Sequence, residues 1–236
     1  MTRILQPELL DELPVDDPRA RRSRRDLRRV NLFMGNPGIL ARSLGGMKFR
    51  GSPVRLLELG AGDGTLLLKV ARRLRWNPPV EAELLDRQAL ITPETRAAFG
   101  KLGWNCASLQ ADLYAWVRAR KEIHADAALA NLFLHHFPDS FLKELFSYLA
   151  GSVDVFVAVE PLRSPWCALA GHFLGLLGCN DVTRHDALAS IRAGFDGKQL
   201  TALWPGQNSA WQITEKRAGF FSHVFVAHRK TANLPG

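Results

Sequence analysis

Three glycines at alternate positions, Gly60, Gly62 and Gly64, follow an apolar run containing Leu56, Leu57 and Leu59, and a helical pattern resumes from Leu66 to Leu74. The run reads as a buried strand and the glycines as a turn. Glycine is needed where the backbone takes a positive φ or must lie against a ligand. The helix that follows offers unpaired N–H groups and the positive end of its dipole. Strand, glycine turn and helix in that order hold a small polar ligand. A dinucleotide fits poorly, because its fingerprint G-x-G-x-x-G needs a third glycine where this chain has Thr65.

Other residues with chemistry fall at the ends of further predicted elements. Val80 to Leu85 alternates as VEAELL and closes with Asp86, a strand-end carboxylate that can accept two ribose hydroxyls. A third strand near Trp104 to Leu109 is followed by Asp112 and Leu113, and Asp112 can also serve as the N-cap of a helix from Leu113 to Arg120. A fourth, apolar strand ends near Asn131, at the edge where a parallel sheet presents its ligand site, and His135 and His136 follow it. A phenol or enol that attacks a methyl group must lose its proton, and histidine titrates in the range to take it.

A fifth strand spans Val153 to Pro161, and beyond it Trp166 to Leu177 is almost wholly apolar. This helix is expected to fill the core or to wall a hydrophobic acceptor pocket. The loop Gly178 to Ala187 then gathers Asn180, Asp181, His185 and Asp186, the mixture of acid, base and amide that an acceptor-binding loop contains. Asp186 also fits as the N-cap of a helix Ala187 to Ala193. Trp211 to Lys216 and Phe220 to His228 read as two strands whose connection is too short for a crossover helix, so the pair must be antiparallel.

The residues Glu58-Leu59-Gly60-Ala61-Gly62-Asp63-Gly64 resemble the first motif of the class I methyltransferases, E/D-x-G-x-G-x-G, which in that family wraps the methionine end of S-adenosyl-L-methionine. The resemblance implies that Glu58, Gly60, Ala61, Gly62 and Gly64 hold this cofactor, with Asp86 on its ribose, Asp112 and Leu113 at its adenine and Asn131 at the same edge. ALANLFLHHFPD looks like the fourth-strand motif of small-molecule methyltransferases that act on quinone, phenol or polyketide-type acceptors. It lacks the Asn/Asp-Pro-Pro-aromatic signature of nucleic-acid amino methyltransferases. The implied fold class is α/β: a doubly wound seven-stranded sheet, mostly parallel with an antiparallel last strand, plus an N-terminal helical cap.

Length and composition suit that architecture. A chain of 236 residues with 47% hydrophobic content can build one well-covered α/β domain. We expect a cap over residues 1–50, the main domain over 51–230 with an acceptor-side insertion at about 162–205, and a tail at 231–236. The opening shows no secretory signal and no run long enough to span a bilayer, which predicts a cytoplasmic protein. Cys106, Cys167 and Cys179 have neither disulfide nor zinc spacing, so no metal is expected. The net charge of +8 and the arginine cluster from Arg19 to Arg29 suit an anionic partner: a membrane surface or a carrier protein touched by the first helix. The near absence of interleaved aromatics argues against RNA. The expected activity is methyl transfer to an oxygen or ring carbon of a lipophilic small molecule, with His135, His136, His185 and Asp186 on the acceptor side. The alternatives are an RNA or protein methyltransferase that uses the basic segment, and a non-catalytic partner protein with the same fold.

Overall fold

In the computed structural model, which describes residues 2–14, 16–49, 51–74, 76, 79–119, 122–123, 125–175, 178–206 and 210–230, the chain begins with three helices. These are α1 (Leu9–Glu12), α2 (Pro18–Phe33) and α3 (Asn36–Gly45). Strands and helices then alternate as β1 (Val54–Leu59), α4 (Thr65–Leu74), β2 (Val80–Asp86), α5 (Pro93–Gly100), β3 (Trp104–Gln110), α6 (Leu113–Arg118), β4 (Ala127–Asn131), α7 (Asp139–Ser152) and β5 (Val155–Pro161). Helices α8 (Pro165–His172), α9 (Asp181–Ala193) and α10 (Gln199–Leu203) precede β6 (Trp211–Ala218) and β7 (Ser222–Arg229). The expected tail 231–236 lies outside the described residues.

The seven strands form one sheet in the order β3-β2-β1-β4-β5-β7-β6. β1 to β5 pair in parallel, and β7 slots antiparallel between β5 and β6. The doubly wound sheet expected from the sequence is the one that forms. Its order reverses between β1 and β4, and Leu59 pairs with both Leu85 and Ala130, so the C-terminal ends of β1, β2 and β4 are level. A crevice opens at such a switch point. Alternation along β1 feeds two cores. Leu56 joins Leu40, Leu67, Val70 and Phe99 on the side of α3, α4 and α5. Leu57 and Leu59 join Leu113, Leu142, Phe146 and Trp204 on the side of α6, α7 and α10.

α2 packs through a polar face, and two expectations are corrected. The face of α2 that packs is not apolar: Ala20, Ser23 and Asp26 are buried, while Leu32 and Phe33 are exposed. The reason is a polar seam against α9, in which Asp26 accepts the N–H of Asn180 at 3.0 Å and the Thr183 hydroxyl donates to Ser23 at 3.0 Å. The loop expected at Gly178 to Ala187 is largely the start of α9, capped by Asn180, whose side chain accepts the N–H of Thr183 at 2.9 Å. Asp186 is therefore inside a helix and caps nothing there. Finally, α8 neither fills the core nor walls the cavity. Its small residue Gly171 faces Leu188 and Ile191 of α9, and Trp166 and Leu169 turn outward.

Candidate active site

A cavity of about 500 Å³ occupies the crevice. Its floor is the glycine turn. Gly60 and Gly62 have φ of +67° and +56°. A Cβ at Gly60 would lie 2.3 Å from the ring of Phe133, whereas one at Gly62 would meet no atom within 4 Å. Gly60 is needed for close packing and Gly62 faces open cavity. The Gly62 N–H donates to Asp86 Oδ2 at 2.8 Å, and the Gln88 N–H donates to Asp86 Oδ1 at 2.8 Å. Asp86 thus clamps the turn and keeps lone pairs for a ligand. Gly64 opens α4, where Asp63 accepts both the N–H and the hydroxyl of Thr65, at 3.1 and 2.6 Å.

Two buried acceptors in this wall lack a partner: Glu58 Oε2 and Asn131 Oδ1. Burial, then the charges of Asp63 and Asp86, push the Glu58 carboxyl well above the usual carboxylate range. The Asn131 amide donates to Asn31 of α2 at 2.9 Å. Asp112 lines the same cavity with Ala61 and Leu113, while its carboxylate caps α6 by accepting the Ala115 N–H at 3.0 Å.

The other end of the cavity is built on the turn after β4. Leu132 takes φ +48°, a strained value for a branched residue, and Leu134–His136 forms one 3₁₀ turn. Glu160 at the end of β5 ties this turn down: Oε1 accepts the N–H groups of Phe133 and Leu134 at 3.1 and 2.9 Å. Its Oε2 meets His135 Nδ1 at 2.8 Å, and His135 Nε2 meets Glu8 Oε1 at 3.3 Å. Burial alone would lower the pKa of His135, but the bonds to Glu160 and Glu8 outweigh it and push it up to about 9. Burial would raise Glu8, yet its bond to the charged His135 holds it at about 2. His135 is accordingly a protonated cation between two carboxylates, with no lone pair to accept a proton.

His136 differs. It lines the cavity, and burial together with the positive charge of His135 lowers its pKa, although Glu8 and Asp11 pull the other way. Its Nε2 lies 3.9 Å from Glu8 Oε2 and its Nδ1 3.6 Å from Asp11 Oδ2. The ligating atoms of Glu8, His135 and His136 all lie within 4.8 Å of one another. Both ring nitrogens of His135 are engaged in this group, Nδ1 by Glu160 and Nε2 by Glu8.

The structure does not bring the second predicted pair to the cavity. His185 is half exposed on α9, bonded to Asp186 at 3.0 Å, and neither residue lines the cavity. Asp186 is buried because it holds the amino-terminal segment, accepting the N–H groups of Leu9 and Leu10 at 2.8 and 3.0 Å.

Sequence reasoning missed Glu8, Asp11, Arg28, Asn31 and Glu160. Glu160 carried a signal, a carboxylate at the C-terminal end of a buried parallel strand. Arg28, which pairs with Asp63 at 2.7 Å, was hidden in a run of like residues. Glu8 and Asp11 sit in an opening stretch with no motif.

No family model and no curated protein matches the sequence. Solved structures do match. An O-methyltransferase family protein from Burkholderia thailandensis aligns over 93% of this chain and 62% of its own, with a TM-score of 0.57 and 17% identity. The plantazolicin methyltransferase BamL, in complex with a triazolic desmethylPZN analog and SAH, aligns over 94% of this chain and 93% of its own, with a TM-score of 0.62 and 12% identity. This is the methyltransferase fold. The mitomycin 7-O-methyltransferase MmcR shares it over 94% of this chain and 60% of its own, with a TM-score of 0.59 and 19% identity. The chain thus spans about three fifths of the Burkholderia and mitomycin proteins and nearly all of BamL. Within the methyltransferase fold, the glycine turn, Asp86 and Asn131 stand at the strand ends that border the switch point.

Proposed function

We propose that this chain is an S-adenosyl-L-methionine-dependent enzyme that methylates an oxygen or ring carbon of a lipophilic phenolic, quinonoid or polyketide-type small molecule. The observation that carries the reading is one continuous cavity, with the glycine turn, Glu58, Asp86 and Asp112 at one end and His136 at the other. The solved neighbours named for plantazolicin and mitomycin methylation support the small-molecule class.

The residues present fit this cofactor. The orphaned acceptors Glu58 Oε2 and Asn131 Oδ1 call for donors, which its amino group and hydroxyls carry. Open space over Gly62 gives it room. When bound, the cofactor supplies a sulfonium-activated methyl group. Asp86 would hold the ribose hydroxyls, and Asp112 and Leu113 the adenine. Phe133, Phe137 and Leu10 give the acceptor an apolar wall. His136, neutral because its pKa is lowered, accepts the proton that the acceptor loses as it attacks. His135, Glu8 and Glu160 hold that turn in place, and α1 to α3 act as a cap that excludes water.

Two measurements test this. Titration calorimetry should show binding of S-adenosyl-L-methionine. Incubation of a producer extract with the methyl-labelled cofactor, followed by untargeted mass spectrometry, should yield a labelled lipophilic product. Absence of cofactor binding would overturn the cofactor site. Binding without any labelled product would favour the non-catalytic partner, and label in RNA or protein would favour a macromolecular acceptor.

A further inference from the structure

Three segments remote in sequence place their most exposed apolar side chains together. At the end of α2, Leu32 is 53% and Phe33 69% exposed. The ring of Phe33 lies 5.7 Å from that of Phe221 in the β6–β7 turn, and Phe221 lies 6.3 Å from Phe220, which is 87% exposed. The carbonyl of Phe220 accepts from the Cys167 thiol at 3.5 Å, which brings the start of α8 and the 78% exposed Trp166 to the same rim. Rings this exposed, converging from independent elements, are the mark of a surface meant to be covered.

Charge says what covers it. Arg21, Arg25 and Arg29 are exposed and recur at every fourth residue of α2, so they form one stripe that Phe33 continues. We propose that this face docks onto an anionic lipid bilayer, with Phe33, Trp166 and Phe220 in the interfacial layer and the arginines of α2 on lipid phosphates. A second copy fits less well, because each chain carries a net charge of +8 and the stripe would meet its like. The inference stands apart from the proposed reaction, since none of these residues lines the cavity.

The test is sedimentation of the full chain with vesicles of phosphatidylcholine alone and with about one third phosphatidylglycerol, at low and high salt. Two double variants accompany it: Phe33→Ser with Phe220→Ser, and Arg21→Gln with Arg25→Gln. The parent should bind the anionic vesicles, and each variant should bind about tenfold more weakly or worse. Both variants should keep the parent's melting temperature and cofactor affinity, because the changed side chains are exposed. Salt should release the parent. The proposal is overturned if the parent ignores anionic vesicles, if it binds neutral ones equally, or if the folded aromatic variant binds unchanged. It is also overturned if light scattering shows a dimer that this variant abolishes, or if the parent binds soluble polyglutamate but no vesicle, which would assign the face to an acidic protein.

Discussion

Alanine at Gly60 and at Gly62 should do different damage, and the structure sizes each. Both residues have positive φ, +67° and +56°, so a Cβ at either costs about 1–2 kcal/mol of backbone strain. At Gly60 the new carbon would also sit 2.3 Å from the Phe133 ring, which is itself held against Phe137 with centroids 5.1 Å apart. Overpacking of that kind adds about 1–3 kcal/mol, so Gly60→Ala should lose about 2–5 kcal/mol in urea unfolding. At Gly62 nothing lies within 4 Å of the added carbon. Gly62→Ala should lose only the strain term, yet its methyl enters the cavity and should weaken S-adenosyl-L-methionine binding by about tenfold or more, some 1.4 kcal/mol by calorimetry. Truncating Phe133 as well should relieve Gly60→Ala, with a coupling of about 1–3 kcal/mol in a double-mutant cycle. Equal destabilisation by the two alanines, or an unchanged cofactor affinity in Gly62→Ala, refutes the division of labour.

Further outcomes follow from the acceptor end. His136→Ala should lower kcat by about 10²–10⁴ with cofactor affinity intact, and the acid limb of the parent's rate profile should lie below the ordinary imidazole value because burial depresses His136; normal turnover would move the proton to another group. His135 is raised from 6.5 to about 9, so its contribution, on the order of 3 kcal/mol, is complete below the unfolded value and is lost as pH rises through about 9. Glu8 is lowered from 4.5 to about 2, so the same pairing is also lost as pH falls from 4.5 toward 2. Urea midpoints across pH should show both limbs, and His135→Gln should flatten the alkaline one. Arg3→Ala removes bonds to Ala193 O and Phe137 O, both at 2.8 Å, and to Asp139 at 2.6 Å. Turnover should drop while calorimetry with the cofactor is unchanged.

How far the sequence could be read depended on the range of the interactions involved. The strands were legible because burial on both faces imposes long apolar runs, as in Val155–Pro161, and because the short link between β6 and β7 admits only one pairing. The glycine turn and Asp86 at one end of the cavity were legible for a related reason: glycine, turn and strand-end acid are local requirements of the chain that makes them. The helix α8 misled because apolar content was taken as burial, whereas its small Gly171 meets α9 and its large Trp166 and Leu169 turn outward. The loop around His185 misled because polar residues at a helix start look like a loop until the cap, Asn180, is found. His135 and His136 are adjacent and alike in sequence, and their surroundings are separated by Glu160, 25 positions on, and Glu8, 127 positions back.

That separation bears on how the site is completed. The sheet alone supplies the glycine turn, Asp86, Asp112 and Asn131, all within the alternating strand and helix region. Glu8 and Asp11, which set the charge around the two histidines, come from before β1. Their segment is fixed by Asp186 on Leu9 and Leu10, by Ser190 on Glu8, and by Arg3 on the turn after β4. A carboxylate held at about 2 beside a histidine at about 9 exists only when that segment is docked. Undocking would remove one of the two carboxylates that hold His135 charged, Glu160 being the other, and would also take Glu8 and Asp11 away from His136. The charge around both histidines is therefore tied to docking of the first residues, whereas Asp86 is held on the glycine turn by the N–H groups of Gly62 and Gln88, which is why Arg3→Ala should divide turnover from affinity.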